Sequence, residues 1–251
     1  MTADILKGLD ALRRSAGETA PHGVVRELSS DGSECRIVHS RCTDGELDAV
    51  IAEEAARAKE AGYTLEWKVY EYDTPADLGA RLLAAGFAAD DTESVLVLPV
   101  DEERLAAFGT SAYEIRRVDD EEGLRDYAEI SREIGRENAE EEAHRLLLTL
   151  RGAPGGTSVY VAYVDGEPAA CGRIHFPDGS GFAELAGGRT RTTHRKRGLF
   201  TALVAARLRE ARARGRTHVL VDALPTSEPI LKKRGFRFVT RTRPFVLEPG
   251  D

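Results

Sequence analysis

The sequence predicts an α/β (α+β) fold in two tandem domains. Segments with helical and strand periodicity alternate along the 251 residues, which is typical of mixed folds. Asp165-Gly166, between two apolar runs, is a strong hairpin signal. The order glycine, strand, proline-containing helix, Gly-Phe and strand occurs twice, over residues 62–99 and 215–249. Such a match across elements of alternating type predicts a diverged tandem repeat.

Composition limits the class of protein. With 41% hydrophobic and 31% charged residues, the chain has enough apolar material for a core. No apolar run approaches the ~20 residues of a membrane span, and the first residues lack the layout of a signal peptide. The 3 cysteines follow no metal-ligand pattern. We therefore expect a cytoplasmic protein without a metal site, and the net charge of −8 argues against nucleic-acid binding.

The first half is predicted to form a domain over residues 1–100, followed by a linker over 101–111. Gly62 is a plausible C-terminal cap for one helix, and Pro75 is expected in the first turn of another. The predicted helices cover 2–18, 44–61 and a segment from 75 to about 86, and the predicted strands cover 23–28, 34–39, 64–71 and 95–99.

The second half, residues 112–251, is predicted to form a complete domain. A long helical segment is expected to break near Gly135. Further helices are expected from Gly198 to Gly215 and over 225–234. The predicted strands are 112–118, the hairpin 158–164 and 168–176, a strand from 182, 217–222, a strand starting at Gly235-Phe236, and 243–247, with a loop near 240–244.

The most informative stretch is Phe182–Thr201, where a strand leads through a basic loop into a helix. The first amide groups of a helix have no intrahelical acceptors and lie at the positive end of its dipole. Such a terminus binds anions, and Arg195, Lys196 and Arg197 add positive charge beside it. In the helix, Leu203, Val204 and Leu208 share one face, with Arg207, Arg209, Arg212 and Arg214 largely on the other. The stretch predicts a site for a phosphate-bearing ligand.

The spacing Arg195-x-x-Gly198-x-Phe200 resembles the acetyl-CoA signature of the GNAT superfamily of N-acetyltransferases, Arg/Gln-x-x-Gly-x-Gly/Ala. Phe200 replaces the small last residue, so its ring has to turn away into the packing around the helix. The resemblance covers roughly residues 110–250. Together with the repeated element order, it implies two GNAT-like domains, each a mixed, mostly antiparallel sheet flanked by helices. In GNAT folds the fourth and fifth strands splay apart and admit acetyl-CoA, which is expected here in the second domain.

The resemblance also implies a set of acetyl-CoA-binding residues. Gly187 and Gly188 fall at the splayed end of the fourth strand, where small residues permit close approach; a bulge or a flexible strand end is the alternative. Arg189 and Thr190 are implicated through their backbone. The expected contacts are Gly188, Arg189, Thr190, Arg195, Lys196, Arg197, Gly198, Leu199, Phe200, Thr201 and Ser227.

Glu184 is the candidate catalytic base. An amine must be unprotonated to attack a thioester, so a group must take its proton directly or through water, and many GNAT enzymes keep a carboxylate on the fourth strand. The alternative is a carboxylate that faces solvent or pairs with Arg173. Leu231 stands where the family often has a tyrosine acid. No acid is assigned, although Ser227 or Thr226 could hydrogen-bond the thiolate.

The first domain lacks the basic loop. The corresponding segment is residues 40–46, in which Asp44 and Glu46 are expected to cap the following helix. Carboxylates there would repel a pyrophosphate, so this domain is predicted to be structural or part of a substrate wall.

The sequence therefore predicts an N-acetyltransferase that moves an acetyl or short acyl group from acetyl-CoA to a primary amine. A small molecule, an antibiotic, a peptide N-terminus or a lysine side chain would all fit. A non-catalytic acyl-CoA-binding or regulatory module is the alternative. A substrate wall is expected from the acidic helical segment 119–142, mostly a solvated face, and from the loop near 240–244. No nucleic-acid or membrane partner is expected, and a homodimer is left open.

Overall fold

The computed structural model describes residues 2–250, which form two compact units. The first unit contains the residues up to Leu96, Asp222–Pro229 and the residues from Phe238 onward. The second contains Val97–Val221 and Ile230–Arg237. The predicted boundaries (1–100, 101–111 and 112–251) stay a prediction. The compact units cross them because the C-terminal strand packs with the first unit.

Helices and strands are mixed along the chain, which confirms the predicted fold class. The elements up to residue 99 are α1 (Thr2–Ser15), β1 (Glu18–Thr19), β2 (Val25–Leu28), β3 (Glu34–His39), α2 (Leu47–Ala61), β4 (Thr64–Tyr70), α3 (Leu78–Ala84), β5 (Ala88–Ala89) and β6 (Glu93–Pro99). Those that follow are α4 (Glu102–Ala106), β7 (Glu114–Val118), α5 (Glu121–Glu133), α6 (Ala139–Gly152), β8 (Thr157–Val164), β9 (Glu167–His175), β10 (Phe182–Thr190), α7 (Leu199–Ala213), β11 (His218–Ala223), α8 (Glu228–Lys233) and β12 (Arg237–Leu247). Within residues 2–250, no helix is long and apolar enough to cross a bilayer.

The first unit is built on the strand order β1-β2-β3-β4-β12, with β5 also paired to β12. Strands β3 and β4 are parallel, from Glu34↔Thr64 to Ile37↔Trp67, and α2 connects them. The other pairs in this unit are antiparallel. Its core contains Trp67, 1% exposed, and apolar residues of α2 and α3.

Strand β12 corrects the predicted ending of the chain. Residues 240–244 lie inside one continuous strand, not in a loop, and Thr242 is only 1% exposed. Pro244 cannot donate a hydrogen bond to a neighbouring strand. It nevertheless lies opposite Lys68, and its carbonyl accepts the Asp90 amide at 3.0 Å. The segment is therefore an internal part of the first unit's sheet and not a substrate-binding loop.

The second unit has the strand order β11-β10-β9-β8-β7. Only β10 and β11 are parallel, and α7 connects them. Helices α5 and α6 pack on one face, around Tyr127 and Cys171, and α7 packs on the other, around Leu203. The hairpin at Asp165-Gly166 and the helix break at Gly135 are confirmed, and all three residues have positive φ.

Two other boundaries differ from the prediction. Helix α3 begins at Leu78, three residues after Pro75, and follows Asp77. The predicted linker contains the short helix α4, whose N-cap Asp101 accepts the amide of Arg104 at 2.9 Å. Side-chain capping of this kind stabilises a helix start that hydrophobic periodicity does not show.

Each unit contains one parallel strand pair joined by a 15-residue helix, α2 in the first and α7 in the second. In both, four register pairs connect the two strands. The shared motif supports the predicted repeat. A common origin of the units stays a prediction.

A buried polar cluster lies on the sheet of the first unit. Lys68 forms an ion pair with Asp222, and their side chains are 14% and 27% exposed. Burial alone would lower the pKa of Lys68, but Asp222 together with Tyr70, Glu93 and Glu66 raises it. Glu93 is close to this pair. Burial is the main cause that raises the pKa of Glu93. Lys68 lowers this pKa and Asp222 raises it, and the resulting value is about 7.

Glu93→Gln should stabilise the protein at pH 8. A carboxyl whose pKa is higher in the folded than in the unfolded chain binds protons more tightly when folded, so stability falls as pH rises from about 4.5 to 7. Glutamine does not titrate, so the variant does not lose this stability as pH rises. After allowing for partial exposure, we expect a gain of about 2 kcal/mol at pH 8 and almost none near pH 4. Urea denaturation at both pH values measures it, with exposed Glu60→Gln as the control. An equal effect at both pH values would contradict the assignment.

Candidate functional site

Strand β10 separates from β11 at a bulge. The two strands pair from Phe182↔His218 to Leu185↔Val221, and β10 then continues along β9 as far as Thr190. The β9–β10 register shifts between Ala186 and Arg189, which places Gly187 and Gly188 in a β-bulge. A bulge was the predicted alternative to a ligand-binding role for these glycines. The bulge is present, at the point where β10 separates from β11. Backbone contact of Gly188 with a ligand stays a prediction.

Close packing explains both glycines of the bulge. Gly187 has a φ of 59°, and a Cβ atom there would lie 2.6 Å from Nη1 of Arg173 and 2.7 Å from the Tyr127 hydroxyl. A Cβ atom on Gly188 would lie 2.9 Å from the ring of Phe200. The Phe200 side chain, which departs from the signature, thus lies half-buried against the bulge. A larger side chain at either glycine would have to displace the side chains packed against the bulge.

The loop before α7 presents positive charge to solvent. Arg195, Lys196 and Arg197 are exposed. The loop is held at both ends, because the Tyr113 hydroxyl donates to the Arg197 carbonyl at 2.6 Å and Nε of Arg195 donates to the Thr190 carbonyl at 3.4 Å. This arrangement keeps the basic side chains beside the start of α7.

The N-terminus of α7 is open. Gly198 is the N-cap residue in a left-handed conformation (φ 92°, ψ −3°), and no side chain caps the helix. A Cβ atom at this position would meet nothing within 4 Å. Uncapped amides at the positive end of a 15-residue helix, with exposed cations around them, fit the phosphates of a nucleotide ligand.

A polar network is buried on the α5–α6 side of the sheet, directly behind the bulge. Nη1 of Arg189 donates to Oε2 of Glu142 at 2.5 Å and to the Ser131 hydroxyl at 2.6 Å. Nη1 of Arg173 donates to Oε1 of Glu142 at 2.5 Å and to the Tyr127 hydroxyl at 2.8 Å. Two guanidinium groups therefore share one carboxylate, and the Tyr127 hydroxyl joins them beside Gly187.

Most acids of the segment 119–142 are exposed, as predicted, and the notable exception is Glu142. Its side chain is 12% exposed. Burial alone would raise the pKa of Glu142, but Arg189 and Arg173 outweigh burial and lower it to about 2. Burial also raises the pKa of Tyr127 to about 12. Both groups thus keep their ordinary protonation states at neutral pH, with Glu142 charged and Tyr127 neutral.

Glu184 lies half-buried on β10, two residues before Ala186. It is paired directly with His175 of β9, so the two side chains lie on the same face of the sheet as Arg173. Nδ1 of His175 is 2.9 Å from the Thr157 hydroxyl, and Nε of Arg173 donates to its Nε2 at 3.3 Å. The candidate base is thus placed among polar groups next to the bulge. Its catalytic role stays a prediction.

The other predicted residues occupy varied positions. The backbone of Arg189 pairs with Cys171 and that of Thr190 with Ala170, while the Arg189 guanidinium is engaged by Glu142. Leu199 is 1% exposed and packs in the α7 core, so only its backbone can face a ligand. The Ser227 hydroxyl donates to the Leu224 carbonyl at 3.1 Å. Ser227 belongs to the first compact unit, and its contact with acetyl-CoA stays a prediction.

A polar cleft of about 360 Å³ lies between the end of α5 and the chain after β10, lined by Glu129, Arg132, Glu133 and Arg191. Arg191 forms ion pairs with Glu129 and with Glu133, and Arg132 pairs with Glu140. Arginines therefore neutralise part of the acidic charge of this predicted substrate wall. The predicted acidic wall is weaker than the sequence suggests.

Sequence reasoning missed Tyr127, His175 and the burial of Glu142. One signal was available: arginines at inward positions of β9 and β10 need a buried acid or hydroxyl partner. The partner could not be chosen from the eleven acidic residues of the segment 119–142 without the packing of α6.

The equivalent helix start in the first unit is organised differently. Glu46 is the N-cap of α2, but its side chain makes no capping bond, and instead its Oε2 accepts the Thr43 amide at 3.1 Å. Asp44 forms an ion pair with Arg81. The prediction that Asp44 and Glu46 cap this helix through their side chains is therefore wrong, because nearer partners engage both carboxylates. Both acids nevertheless lie where the second unit has its basic loop.

The fold and the loop define an α/β protein with an uncapped helix terminus, flanked by exposed basic residues, next to a strand bulge. Residues 121–236 match the acetyltransferase (GNAT) family, so the chain carries a GNAT acetyltransferase domain over this range. This confirms the resemblance drawn from the loop. Among curated proteins, none is similar enough to count as a relative.

Solved structures share the fold at low sequence identity. A GCN5-related N-acetyltransferase from Kribbella flavida is 17% identical over 100% of this chain and 95% of its own, with a TM-score of 0.66. A functionally unknown conserved protein from Staphylococcus epidermidis is 13% identical over 93% and 95%, with a TM-score of 0.67. A tandem GNAT protein from the clavulanic acid biosynthesis pathway is 19% identical over 87% and 76%, with a TM-score of 0.61. At these identities, the similarities show a shared fold.

Proposed function

We propose that the chain is an N-acetyltransferase that moves an acetyl or other short acyl group from acetyl-CoA to a primary amine. The uncapped α7 terminus carries this proposal, because Gly198 opens a helix beneath three exposed basic residues. A CoA pyrophosphate has the charge and size that such a terminus accepts. The GNAT domain supports acyl transfer from an acyl-CoA in general.

Acetyl-CoA supplies a thioester carbonyl carbon for the amine to attack, and the CoA thiolate leaves. Glu184 takes the proton that the amine nitrogen loses, directly or through one water, and the adjacent His175 and Arg173 keep its surroundings polar. Water returns a proton to the thiolate. Leu231, at the usual tyrosine position, is 2% exposed and cannot donate one.

The first unit is proposed as a GNAT-like domain that binds no acyl-CoA. Glu46 and Asp44 put negative charge at the start of α2, where the second unit has Arg195–Gly198. The tandem GNAT protein among the structural neighbours supports this arrangement through its fold. With three buried free cysteines, the chain fits a reducing cytoplasm.

A non-catalytic acyl-CoA-binding or regulatory module is the second candidate, favoured by the buried Leu231. The release of free CoA thiol in an assay distinguishes the two candidates. Incubation with acetyl-CoA and a panel of amines releases CoA thiol from an enzyme, whereas a binding module is stabilised by acetyl-CoA and releases none.

Calorimetry should find one acetyl-CoA per chain, and Gly198→Glu should weaken binding at least tenfold. A carboxylate in front of the α7 amides repels a pyrophosphate, and a tenfold loss corresponds to about 1.4 kcal/mol. Gly62→Glu is the matched control, since Gly62 is also left-handed (φ 76°) with open space around its Cβ position. It carries the same backbone strain in the first unit. Two sites per chain, or unchanged affinity in Gly198→Glu, would place the phosphates elsewhere.

A further inference from the structure

Arg207 of α7 is buried although the sequence placed it with the basic, polar face of the helix. It is 1% exposed and is among the largest fully buried side chains of the chain. Its Nε donates to the Leu203 carbonyl at 3.1 Å. Its Nη1 donates to the carbonyls of Arg173 at 2.9 Å and of Ala186 at 3.3 Å. The side chain therefore crosses from α7 to β9 and β10.

Arg207 has no acidic partner. Within residues 2–250, no Asp or Glu forms an ion pair with it, and burial lowers the pKa of its guanidinium to about 10. The group is still charged at neutral pH. A buried cation without a counter-charge is costly, and an apolar side chain of similar volume is usually as stable or more so. Stability alone therefore gives no reason for an arginine here.

The carbonyls that hold Arg207 mark a specific place. Ala186 and Arg173 are paired across β10 and β9, and Ala186 is the last residue before the bulge. The space for the guanidinium depends on Gly172, where a Cβ atom would lie 2.8 Å from Nη1 and 2.9 Å from Cζ. Nη2 lies 3.9 Å from the Cβ position of Gly188. Arg207 thus contacts both strands at the base of the bulge.

We propose that Arg207 is a positioning residue that fixes the β10 bulge at a set distance from the N-terminus of α7. The proposal rests on the proposed function. The phosphate end of an acyl-CoA would lie at Gly198 and its pantetheine arm would reach the bulge, so both ends of the ligand site depend on one helix. Without Arg207 the phosphate end stays intact, while β9 and β10 each lose one hydrogen bond to α7 beside the bulge.

This separation of the two ends defines the experiment. Calorimetry on the full chain compares the affinities for CoA and for adenosine 3′,5′-bisphosphate, which carries only the nucleotide end. Arg207→Met keeps the volume and removes the charge, and Gly172→Ala displaces the guanidinium while keeping the arginine. Each should lower the affinity for CoA about tenfold and leave that for the bisphosphate unchanged, a change typical of losing one or two hydrogen bonds. Exposed Arg209→Met on the same helix should change neither.

The ratio of the affinities for CoA and for the bisphosphate decides between the outcomes. A CoA-to-bisphosphate affinity ratio that stays at the wild-type value in both Arg207→Met and Gly172→Ala would overturn the positioning role, whatever happens to stability. If Arg207→Met does not fold, Gly172→Ala and Arg207→Lys decide by the same ratio. A wild-type protein that binds neither ligand contradicts the proposed function itself, which distinguishes that failure from the failure of this inference.

Discussion

Replacing Glu184 with glutamine should slow acetyl transfer by about 10²–10⁴-fold at pH 7, the usual contribution of a general base. The amide keeps the size and part of the hydrogen bonding of the carboxylate but cannot accept a proton. The substitution does not move position 184, which pairs with His175 and lies two residues before β10 separates from β11. Turnover is measured as CoA thiol released with a verified amine acceptor, and binding of acetyl-CoA should stay within a few-fold of wild type.

The pH dependence of the Glu184→Gln effect separates a base from an orienting group. At high pH more of the amine is already deprotonated, so the deficit should shrink. A carboxylate that only orients the amine would instead raise KM with little change across pH. Exposed Glu167→Gln at the start of β9 is the control and should retain activity. Wild-type turnover of Glu184→Gln at every pH would remove Glu184 from the mechanism.

Local chemistry explains why much of the fold could be predicted. Gly62, Gly135 and the Asp165-Gly166 pair all have positive φ, a backbone conformation that glycine adopts without strain, and their neighbours follow clear periodic patterns. The basic loop and Gly198 could be predicted for the same reason. A strand, a loop and a helix start are adjacent in sequence, so their spacing alone predicts an uncapped helix start beside basic residues.

What the sequence could not show depends on distant partners. Strand β12 pairs with β4, more than 170 residues earlier, and this pairing turns residues 240–244 from an expected loop into an internal strand. Arg207 lies four residues after Leu203, so helical spacing places it on the apolar face, and it was assigned to the basic face only by its residue type. The carbonyls of β9 and β10 hold its guanidinium there. Periodicity assigns a residue to a face of a helix but not the group it meets there.

Glu142 illustrates the same limit for charge. In the sequence it is one of three consecutive glutamates, and its neighbour Glu141 is exposed. In the structure it lies between Arg173 and Arg189, behind Gly187 of the bulge. Because two cations depend on this one carboxylate, its loss should have a larger effect than that of an ordinary surface acid.

Glu142→Gln should destabilise the protein by about 3 kcal/mol at pH 7, since removing one partner of a buried ion pair leaves the other charge uncompensated. The folded pKa of about 2 lies below the unfolded value. The difference in free energy of unfolding between wild type and variant should therefore be fully present above about pH 5 and disappear as pH falls toward 2. Urea denaturation of wild type and variant across this range measures the difference.

The arginines around Glu142 provide an internal test of that cause. Glu141→Gln, the exposed neighbour, should change stability by less than about 0.5 kcal/mol. Adding Arg189→Gln to Glu142→Gln should recover part of the loss, because only Arg173 then remains uncompensated, and a double-mutant cycle gives the coupling between the pair. Purely additive effects of the two substitutions, or a Glu142→Gln deficit that persists at pH 2, would show that lost packing and not charge causes the destabilisation.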